Sequence, residues 1–120
     1  MNVAVVGASK KPERYSYQAV KLLAEKGHVP FPVHPSLDTV DDIAVYKTVS
    51  DVPDRIDTVT VYLSARNQER LPDDILGKKT VTRVIFNPGA ENPALAERLR
   101  DAGIEVMDAC TLVLLRTGQF

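Results

Sequence analysis

Short runs of β-branched residues alternate with helical patterns along almost the whole chain, and this alternation limits the possible folds. The segment after the first run, for example, carries Ala19, Val20 and Leu23 at helical spacing. Such an order predicts right-handed βαβ units. We therefore predict an α/β fold, a Rossmann-like three-layer sandwich with a mostly parallel sheet of about five strands and helices on both faces. The predicted strands are 2–6, 29–33, 58–63, 81–86 and 104–107, and the predicted helices begin at Ser16, Ala65 and Asn92 and end at Gly27, Gly77 and Gly103.

The composition is that of one ordinary globular domain. The 120 residues are 44% hydrophobic and 26% charged, so we expect residues 1–120 to form a single domain. The formal net charge is -1, Trp is absent and no apolar stretch is long enough to span a membrane, so neither a nucleic-acid nor a membrane partner is indicated. The single Cys110 suits a reducing compartment, and we expect a cytoplasmic protein.

Some segments depart from the regular pattern. Pro30 and Pro32 lack an N–H, which predicts that the second strand is short or lies near a sheet edge. The polar segment 38–42 is predicted to be a loop, 44–46 a brief strand and 49–53 a turn or short helical segment.

The helix ends also carry specific expectations. Ser16 and Ser64 are predicted to cap the helices that follow them, and the second helix is predicted to be interrupted or to start again near Pro72. Asn92 is predicted to cap the third helix. In the last segment, 109–120, the apolar part is expected to pack and the final residues to fray.

The first strand ends in a turn of small residues, Gly7–Ser9, that leads into the first helix. The start of a helix has unpaired N–H groups and a favourable dipole for anions, so this turn predicts a phosphate site. It is not the dinucleotide fingerprint G-x-G-x-x-G, because Ser9 and Pro12 replace two glycines. A tight turn without a ligand is the alternative. Lys10 and Arg14 either neutralise a phosphate or are solvated surface charges.

In a doubly wound sheet the ligand binds outside the carboxyl ends of the strands, where the strand order reverses. An NAD site carries a carboxylate near the end of the second strand, but His34 occupies that position, so a phosphorylated ribose or a ligand with several phosphates is favoured. His34 is alternatively a strand-end residue that makes one backbone hydrogen bond. The segments expected to meet in this crevice are 7–14, 34–35, 63–66 and 87–91, the last containing a β-turn, Asn87–Gly89, as a wall for the ligand.

An ordered set of short motifs spans nearly the whole chain: Val5–Ser9, Pro12, Arg14, Val33–Pro35, Asn87–Asn92, Gly103-Ile104 and Cys110. In this order the motifs resemble the small single-domain CoA-binding proteins. That family has the Rossmann-like fold of the CoA-binding domain of succinyl-CoA synthetase α subunits. Two departures from the family lie at the adenosine end: His34 replaces a usual Asn, and Leu63–Arg66 replaces a more apolar stretch that contains Pro.

The resemblance implies positions for the parts of the cofactor. The Gly7–Ser9 turn would face the CoA diphosphate, His34-Pro35 and the Ser64 region would hold the adenosine end, and Pro12, Arg14 and Ser16 would border the diphosphate. The candidate cofactor-binding residues are Gly7, Ala8, Ser9, Lys10, Pro12, Arg14, Ser16, Val33, His34, Pro35, Ser64, Arg66, Asn87, Pro88 and Gly89.

Binding without catalysis is the function that the sequence favours. No catalytic triad, Cys-His order, P-loop or zinc spacing is present, so neither catalytic residues nor a metal site are predicted. The implied cofactor is coenzyme A or an acyl-CoA, and a homodimer or a partner enzyme is compatible with the sequence. Two alternatives stay open: an NADP-dependent or other nucleotide-dependent small enzyme, and a ligand-free protein-interaction scaffold.

Overall fold

A five-stranded parallel sheet forms the centre of the computed structural model, which describes all 120 residues. In chain order the elements are β1 (Asn2–Val6), α1 (Tyr15–Glu25), β2 (Val29–Val33), β3 (Thr39–Val40), β4 (Ile43–Ala44), β5 (Thr58–Val61), α2 (Leu71–Gly77), β6 (Arg83–Phe86), α3 (Pro93–Asp101), β7 (Glu105–Asp108) and α4 (Thr111–Arg116). The strand order of the sheet is β2-β1-β5-β6-β7. The predicted Rossmann-like α/β fold is confirmed.

The two faces of the sheet are covered by different helices. Because side chains alternate along a strand, Ala4 and Val6 of β1 join a core of 18 buried residues with α2 and α3. Val3 and Val5 face the other way and pack with residues of α1 and α4. The chain moves from β1 to β2 on one side and from β5 to β6 on the other, so the strand order reverses between β1 and β5. A crevice is expected to open at the carboxyl ends of these two strands.

β2 lies at the edge of the sheet, as its two prolines predict. The N–H of Val29 donates to the carbonyl of Met1 at 2.9 Å, so alternate residues of β2 bond toward β1. Pro30 and Pro32 therefore have their nitrogens on the outer side, where the sheet requires no donor. Edge placement is how this chain accommodates two prolines in one strand.

The predicted loop at 38–42 is wrong, because β3 and β4 form a small antiparallel hairpin there. Asp41 and Asp42 make its two-residue turn with φ of 47° and 67°, the positive values that a type I′ turn requires. The Asp41 carboxylate accepts hydrogen bonds from Tyr17 and Lys21 of α1, and these bonds lower the pKa of Asp41. Asp-Asp is a weaker hairpin signal than Asn-Gly or Asp-Gly, which explains the error.

Two of the three predicted helix caps are wrong. α1 begins one residue earlier than expected, with Arg14 at its N-cap and no capping side chain, while Ser16 is buried within the first turn. Ser64 stands at the N-cap of a single 3₁₀ turn, Ala65–Asn67, but its hydroxyl accepts from the Asn67 side chain at 3.1 Å and caps no backbone N–H. The predicted helix start at Ala65 is therefore wrong, because α2 begins only at Leu71, with Pro72 in its first turn. Asn92 does cap α3, since its side-chain oxygen accepts a backbone N–H three residues later at 3.1 Å.

The C-terminal residues pack against the sheet, so the prediction of fraying is wrong. The carbonyl of Phe120 accepts from the Arg83 guanidinium at 2.7 Å, and that guanidinium lies 4.4 Å from the Phe120 ring centroid. The His28 ring meets the same ring edge-on, with 5.0 Å between centroids. Leu112 and Leu115 of α4 are buried, as predicted.

Asn87 joins three elements through buried hydrogen bonds. Its amide nitrogen donates to the Thr60 hydroxyl at 2.7 Å and to the Val61 carbonyl at 3.0 Å, and its amide oxygen accepts from the Thr111 N–H at 2.8 Å. The Thr60 and Thr111 hydroxyls lie 2.7 Å apart. The Asn87 side chain therefore links β5, the end of β6 and the start of α4, and it is not free to bind a ligand.

We expect Asn87→Ala to lower the free energy of unfolding by about 2–3 kcal/mol, because buried polar groups lose their partner. Urea denaturation measures this change. Asn67→Ala is the matched control, since Asn67 is exposed, and we expect a loss below about 0.5 kcal/mol. Equal losses in the two variants would contradict the assigned role of Asn87.

Candidate functional site

A cleft of about 850 Å³ opens at the carboxyl ends of β1, β2 and β5. This is the point at which the strand order reverses, and the volume is within the range of ordinary ligand sites. Its apolar part is formed by strand ends, and its polar walls come from residues 47–51 and from the segment that leads into α2. The lining residues are Val6, Gly7, Val33, His34, Pro35, Lys47, Thr48, Asp51, Leu63, Arg66, Asn67, Glu69, Arg70, Leu71 and Asp74.

The candidate residues predicted from the sequence fall into two groups. Those that line the cleft are Gly7, Val33, His34, Pro35 and Arg66. Those that lie outside its lining are Ala8, Ser9, Lys10, Pro12, Arg14 and Ser16 around the start of α1, Ser64 after β5, and Asn87, Pro88 and Gly89 after β6.

The turn after β1 is fixed to the end of β2. The N–H groups of Gly7 and Ala8 both donate to the Val33 carbonyl, at 3.1 and 3.2 Å. Gly7 has a φ of +84°, and a Cβ at this position would lie 3.1 Å from Leu63 Cδ2 and 3.3 Å from the Leu63 nitrogen. Gly7 is therefore required by the backbone itself. Because the amides of Gly7 and Ala8 already have an acceptor, only the residues that follow have N–H groups free for a ligand.

Free N–H donors gather just beyond this turn. The amides of Ser9 and Lys10 have no acceptor within the protein, and neither do the first three amides of α1, at 15–17. No side chain caps this helix, and Arg14 forms no salt bridge. The Ser9 hydroxyl accepts from the Lys11 N–H at 3.1 Å and stabilises the loop. Uncapped donors at a helix start, with flexible cations nearby, are suited to a phosphate.

His34 closes a tight turn at the end of β2. Its Nδ1 accepts from the N–H groups of Ser36, at 3.0 Å, and Leu37, at 3.2 Å. An Nδ1 that accepts carries no proton, so in the neutral ring Nε2 is the N–H donor. His34 therefore stabilises its own turn through Nδ1, and its Nε2–H remains as a donor at the cleft that this residue lines.

The Asn87–Gly89 segment follows β6, and none of its residues lines the cleft. The Ala90 N–H donates to the Asn87 carbonyl at 2.8 Å, and Gly89 has a φ of +93°, which confirms the predicted β-turn. Since the Asn87 side chain is committed to the core, only the exposed Pro88 and Gly89 can face a ligand. This segment can therefore offer a ligand a surface of a certain shape, but no polar side chain.

Tyr62 lies after β5, on the face of the sheet covered by α1 and α4. Burial raises the pKa of Tyr62 to about 12, and the nearby Thr60 and Thr111 hydroxyls offset only part of this effect. The phenol is therefore neutral at physiological pH, and its buried hydroxyl has no hydrogen-bond partner. Cys110, the N-cap residue of α4, is a half-buried free thiol.

Sequence reasoning missed the polar walls of the cleft. Lys47, Thr48 and Asp51 belong to a segment that packs beside β2, while Arg70 and Asp74 lie at or within the start of α2. No local pattern marks these residues, because a tertiary contact brings each of them to the cleft. The sequence predicted only a brief strand at 44–46 and a turn or short helical segment at 49–53, and neither prediction points to a cleft.

Gln68 was also missed, and it holds two loops of the crevice together. Its side chain is 2% exposed, and its amide nitrogen donates to the carbonyls of Leu63 and Ala90 at 2.8 and 2.7 Å. Its amide oxygen accepts from the Asn92 side chain at 3.0 Å. Gln68 thereby fixes the position of Leu63, which lines the cleft.

A doubly wound parallel sheet with free helix-start amides and a cleft at the reversal point defines the class of nucleotide-binding α/β domains. The sequence profile of the family described as CoA binding domain matches residues 1–116. The chain therefore belongs to this CoA-binding domain family, as its motifs indicated.

Individual relatives extend this comparison. The uncharacterized protein YneT of Bacillus subtilis is 28% identical over 114 residues, which cover 92% of this chain and 82% of YneT. A crystal structure of an uncharacterized protein is 38% identical, with a TM-score of 0.92 and coverage of 99% of this chain and 97% of that one. The dinucleotide forming acetyl-coenzyme A synthetase 1 of Ca. Korarchaeum cryptofilum, in complex with phosphate and ADP, is 28% identical, with a TM-score of 0.75. Coverage there is 90% of this chain but only 25% of the synthetase.

No group of three or more His, Cys, Asp and Glu side chains is arranged to hold a metal ion. None of the helices has the length and apolar character needed to cross a membrane.

We expect Gly7→Ala and Gly103→Ala to differ in stability. Both glycines have a positive φ, +84° and +85°, so each substitution costs about 1–2 kcal/mol of unfolding free energy. Gly7→Ala should cost a further 1–3 kcal/mol or so, because its Cβ meets Leu63 whereas the space around Gly103 is open. Urea denaturation of both variants measures the difference, and equal losses would show that Leu63 does not restrict position 7.

Proposed function

We propose that this protein binds coenzyme A or an acyl-CoA in the crevice and does not itself catalyse a reaction on it. The diphosphate lies beside the Gly7–Ser9 turn and the first turn of α1. The adenosine end occupies the cleft near His34 and Pro35, and the pantetheine arm leaves past Pro88 and Gly89. Membership of the CoA-binding domain family supports the choice of ligand.

The free amides at the start of α1 are the observation that carries this proposal. The N–H groups of Ser9 and Lys10 and of residues 15–17 are unpaired and lie beside the reversal point of the sheet. A diphosphate supplies acceptors to several such donors at once, and the helix dipole favours its charge. The side chains of Lys10 and Arg14 add positive charge, while Pro12 keeps the loop between them stiff.

The cleft has the chemistry expected of an adenosine site. Val6, Val33 and Leu63 provide an apolar surface for the base, and the Nε2–H of His34 can donate to a ribose or its phosphate. Arg66 lines the same space from the β5 side, whereas Ser64, two residues before it, lies just outside the lining.

The proposed role is binding, sensing or delivery of the cofactor. The chain spans only about a quarter of the synthetase with the similar domain, so that enzyme's activity is not transferred to it. We treat residues 1–120 as one CoA-binding domain and propose a cytoplasmic location, which the single cysteine supports. A homodimer or a partner enzyme that performs chemistry on the bound acyl-CoA is compatible with this role.

Isothermal titration calorimetry with four ligands tests the proposal. We expect CoA to bind, dephospho-CoA to bind more weakly and NAD not to bind, with NADP as the fourth ligand. Tight binding of NADP without CoA would favour the nucleotide-dependent enzyme. No binding of any of the four to the folded protein would contradict the proposal and favour the interaction scaffold.

We expect Arg14→Ala to weaken CoA binding by about 1–3 kcal/mol, because a charge-assisted hydrogen bond to the diphosphate is lost. The same titration measures this change. Arg55→Ala is the control, since Arg55 pairs with Asp57 at the opposite end of the sheet, at 3.0 Å. Unchanged CoA affinity in Arg14→Ala would remove Arg14 from the site.

A further inference from the structure

Residues 46–51, here called the strap, run beside the edge strand β2 and pair with it through their first residue, Tyr46. Tyr46 forms a parallel bridge with Val33 of β2, its N–H donates to the Pro32 carbonyl at 3.0 Å, and its carbonyl accepts from the His34 N–H at 2.9 Å. Lys47, the next residue, lines the cleft. The backbone of Lys47 is therefore held directly beside the carboxyl end of β2.

The far end of the strap is held by α2. The two carboxylate oxygens of Asp74 accept from the N–H groups of Val49 and Ser50, each at 2.8 Å, and the Ser50 hydroxyl donates to the Asp74 carbonyl at 2.9 Å. Val49 is completely buried in the larger core. With both ends fixed, the strap presents Lys47 from a rigid backbone, as precise recognition of a ligand requires.

Lys47 is one of three cations in the cleft, and its location differs from that of the other two. Arg66 and Arg70 follow β5, whereas Lys47 is next to β2. In doubly wound nucleotide sites the ribose lies near the end of the second strand, and a cation there accommodates a phosphate on the ribose. Lys47 forms no salt bridge, so its charge is available.

We propose that Lys47 is a specificity-determining residue that recognises the ribose phosphate of the bound CoA, and that Asp74 is a positioning residue that holds the strap. This inference rests on the proposed function. It assigns discrimination between CoA and dephospho-CoA to a residue outside the family motifs, while the amides near α1 bind the diphosphate that both ligands share.

A comparison of Lys47→Met with the wild type, using CoA and dephospho-CoA as ligands, tests this assignment. We expect CoA to bind roughly tenfold more weakly to Lys47→Met, because a charge-assisted contact is lost, and dephospho-CoA affinity to change less than about twofold. Lys47→Arg should retain most of the preference for CoA. Lys26→Met, which removes an exposed lysine at the end of α1, is the matched control and should leave both affinities unchanged.

The outcomes separate this inference from the proposed function. If the wild type prefers CoA and Lys47→Met keeps the same preference, the role of Lys47 is wrong while CoA binding stands. If both affinities fall equally in Lys47→Met, Lys47 contacts a shared part of the ligands and the specificity role is again wrong. If the wild type binds neither ligand, the proposed function itself fails.

The role of Asp74 has its own readout. We expect Asp74→Asn to reduce the ratio of CoA to dephospho-CoA affinity, because an amide cannot accept both strap N–H groups, and Asp74→Glu to restore part of it. If Asp74 only stabilises the fold, Asp74→Asn will lower the affinity for both ligands by the same factor and leave their ratio unchanged. That result would overturn the assignment of Asp74.

Discussion

The carbonyl of Val33 accepts two hydrogen bonds, from Gly7 and Ala8, and the rest of the site depends on this contact. It joins the turn after β1 to the end of β2, the two strand ends between which a nucleotide would lie. The turn can approach so closely because Gly7 takes a φ of +84° and has no side chain to meet Leu63, which follows β5. One backbone contact thus sets the relative positions of three strand ends. Because it occupies the first two amides of the turn, the donors left for an anion are those from Ser9 onward.

Polar groups around the crevice divide clearly into paired and unpaired sets. The side chains that hold its walls are satisfied: Gln68 bonds two loops, Asn87 bonds into the core, and Asp74 bonds the strap. The unpaired donors are the amides at the start of α1 and the cations of the surrounding loops. Rigid walls and free donors favour anion binding, because few side chains or loops have to become ordered when the anion binds.

The sequence predicted the structure correctly where a residue type favours one local conformation. The prolines of β2 predicted an edge strand, Asn92 predicted a helix start, and the β-branched runs gave the order of the sheet strands along the chain. The predicted strand order along the chain also placed the crevice at the carboxyl ends of the strands, where the cleft lies. Local rules were less successful for Ser16, which lies inside the first turn of α1, and for Ser64, whose hydroxyl bonds to the Asn67 side chain instead of a backbone N–H.

Tertiary contacts account for what could not be predicted. The strap reaches the cleft through one bridge to β2 and through Asp74, which is 25 positions from Val49 in the chain. His34 departs from the family pattern, and its Nδ1 accepts the N–H groups of Ser36 and Leu37 at the end of β2. Asn87 was predicted as a wall of the ligand site, but its side chain serves the core. Hydrogen-bond partners distant in sequence decide the positions of the strap and of the Asn87 side chain, whereas the partners of His34 lie only two and three residues away.

The most direct test of CoA binding in this crevice is a titration of ¹⁵N-labelled protein with CoA, followed by amide chemical shifts. The largest shifts are expected at Ser9, Lys10 and residues 15–17, with further shifts at His34 and along the strap. Amides at the opposite end of the sheet, such as that of Asp57, should not move. Saturable shifts confined to another surface, or no shifts at CoA concentrations near 1 mM, the weak limit of specific binding, would contradict the central claim.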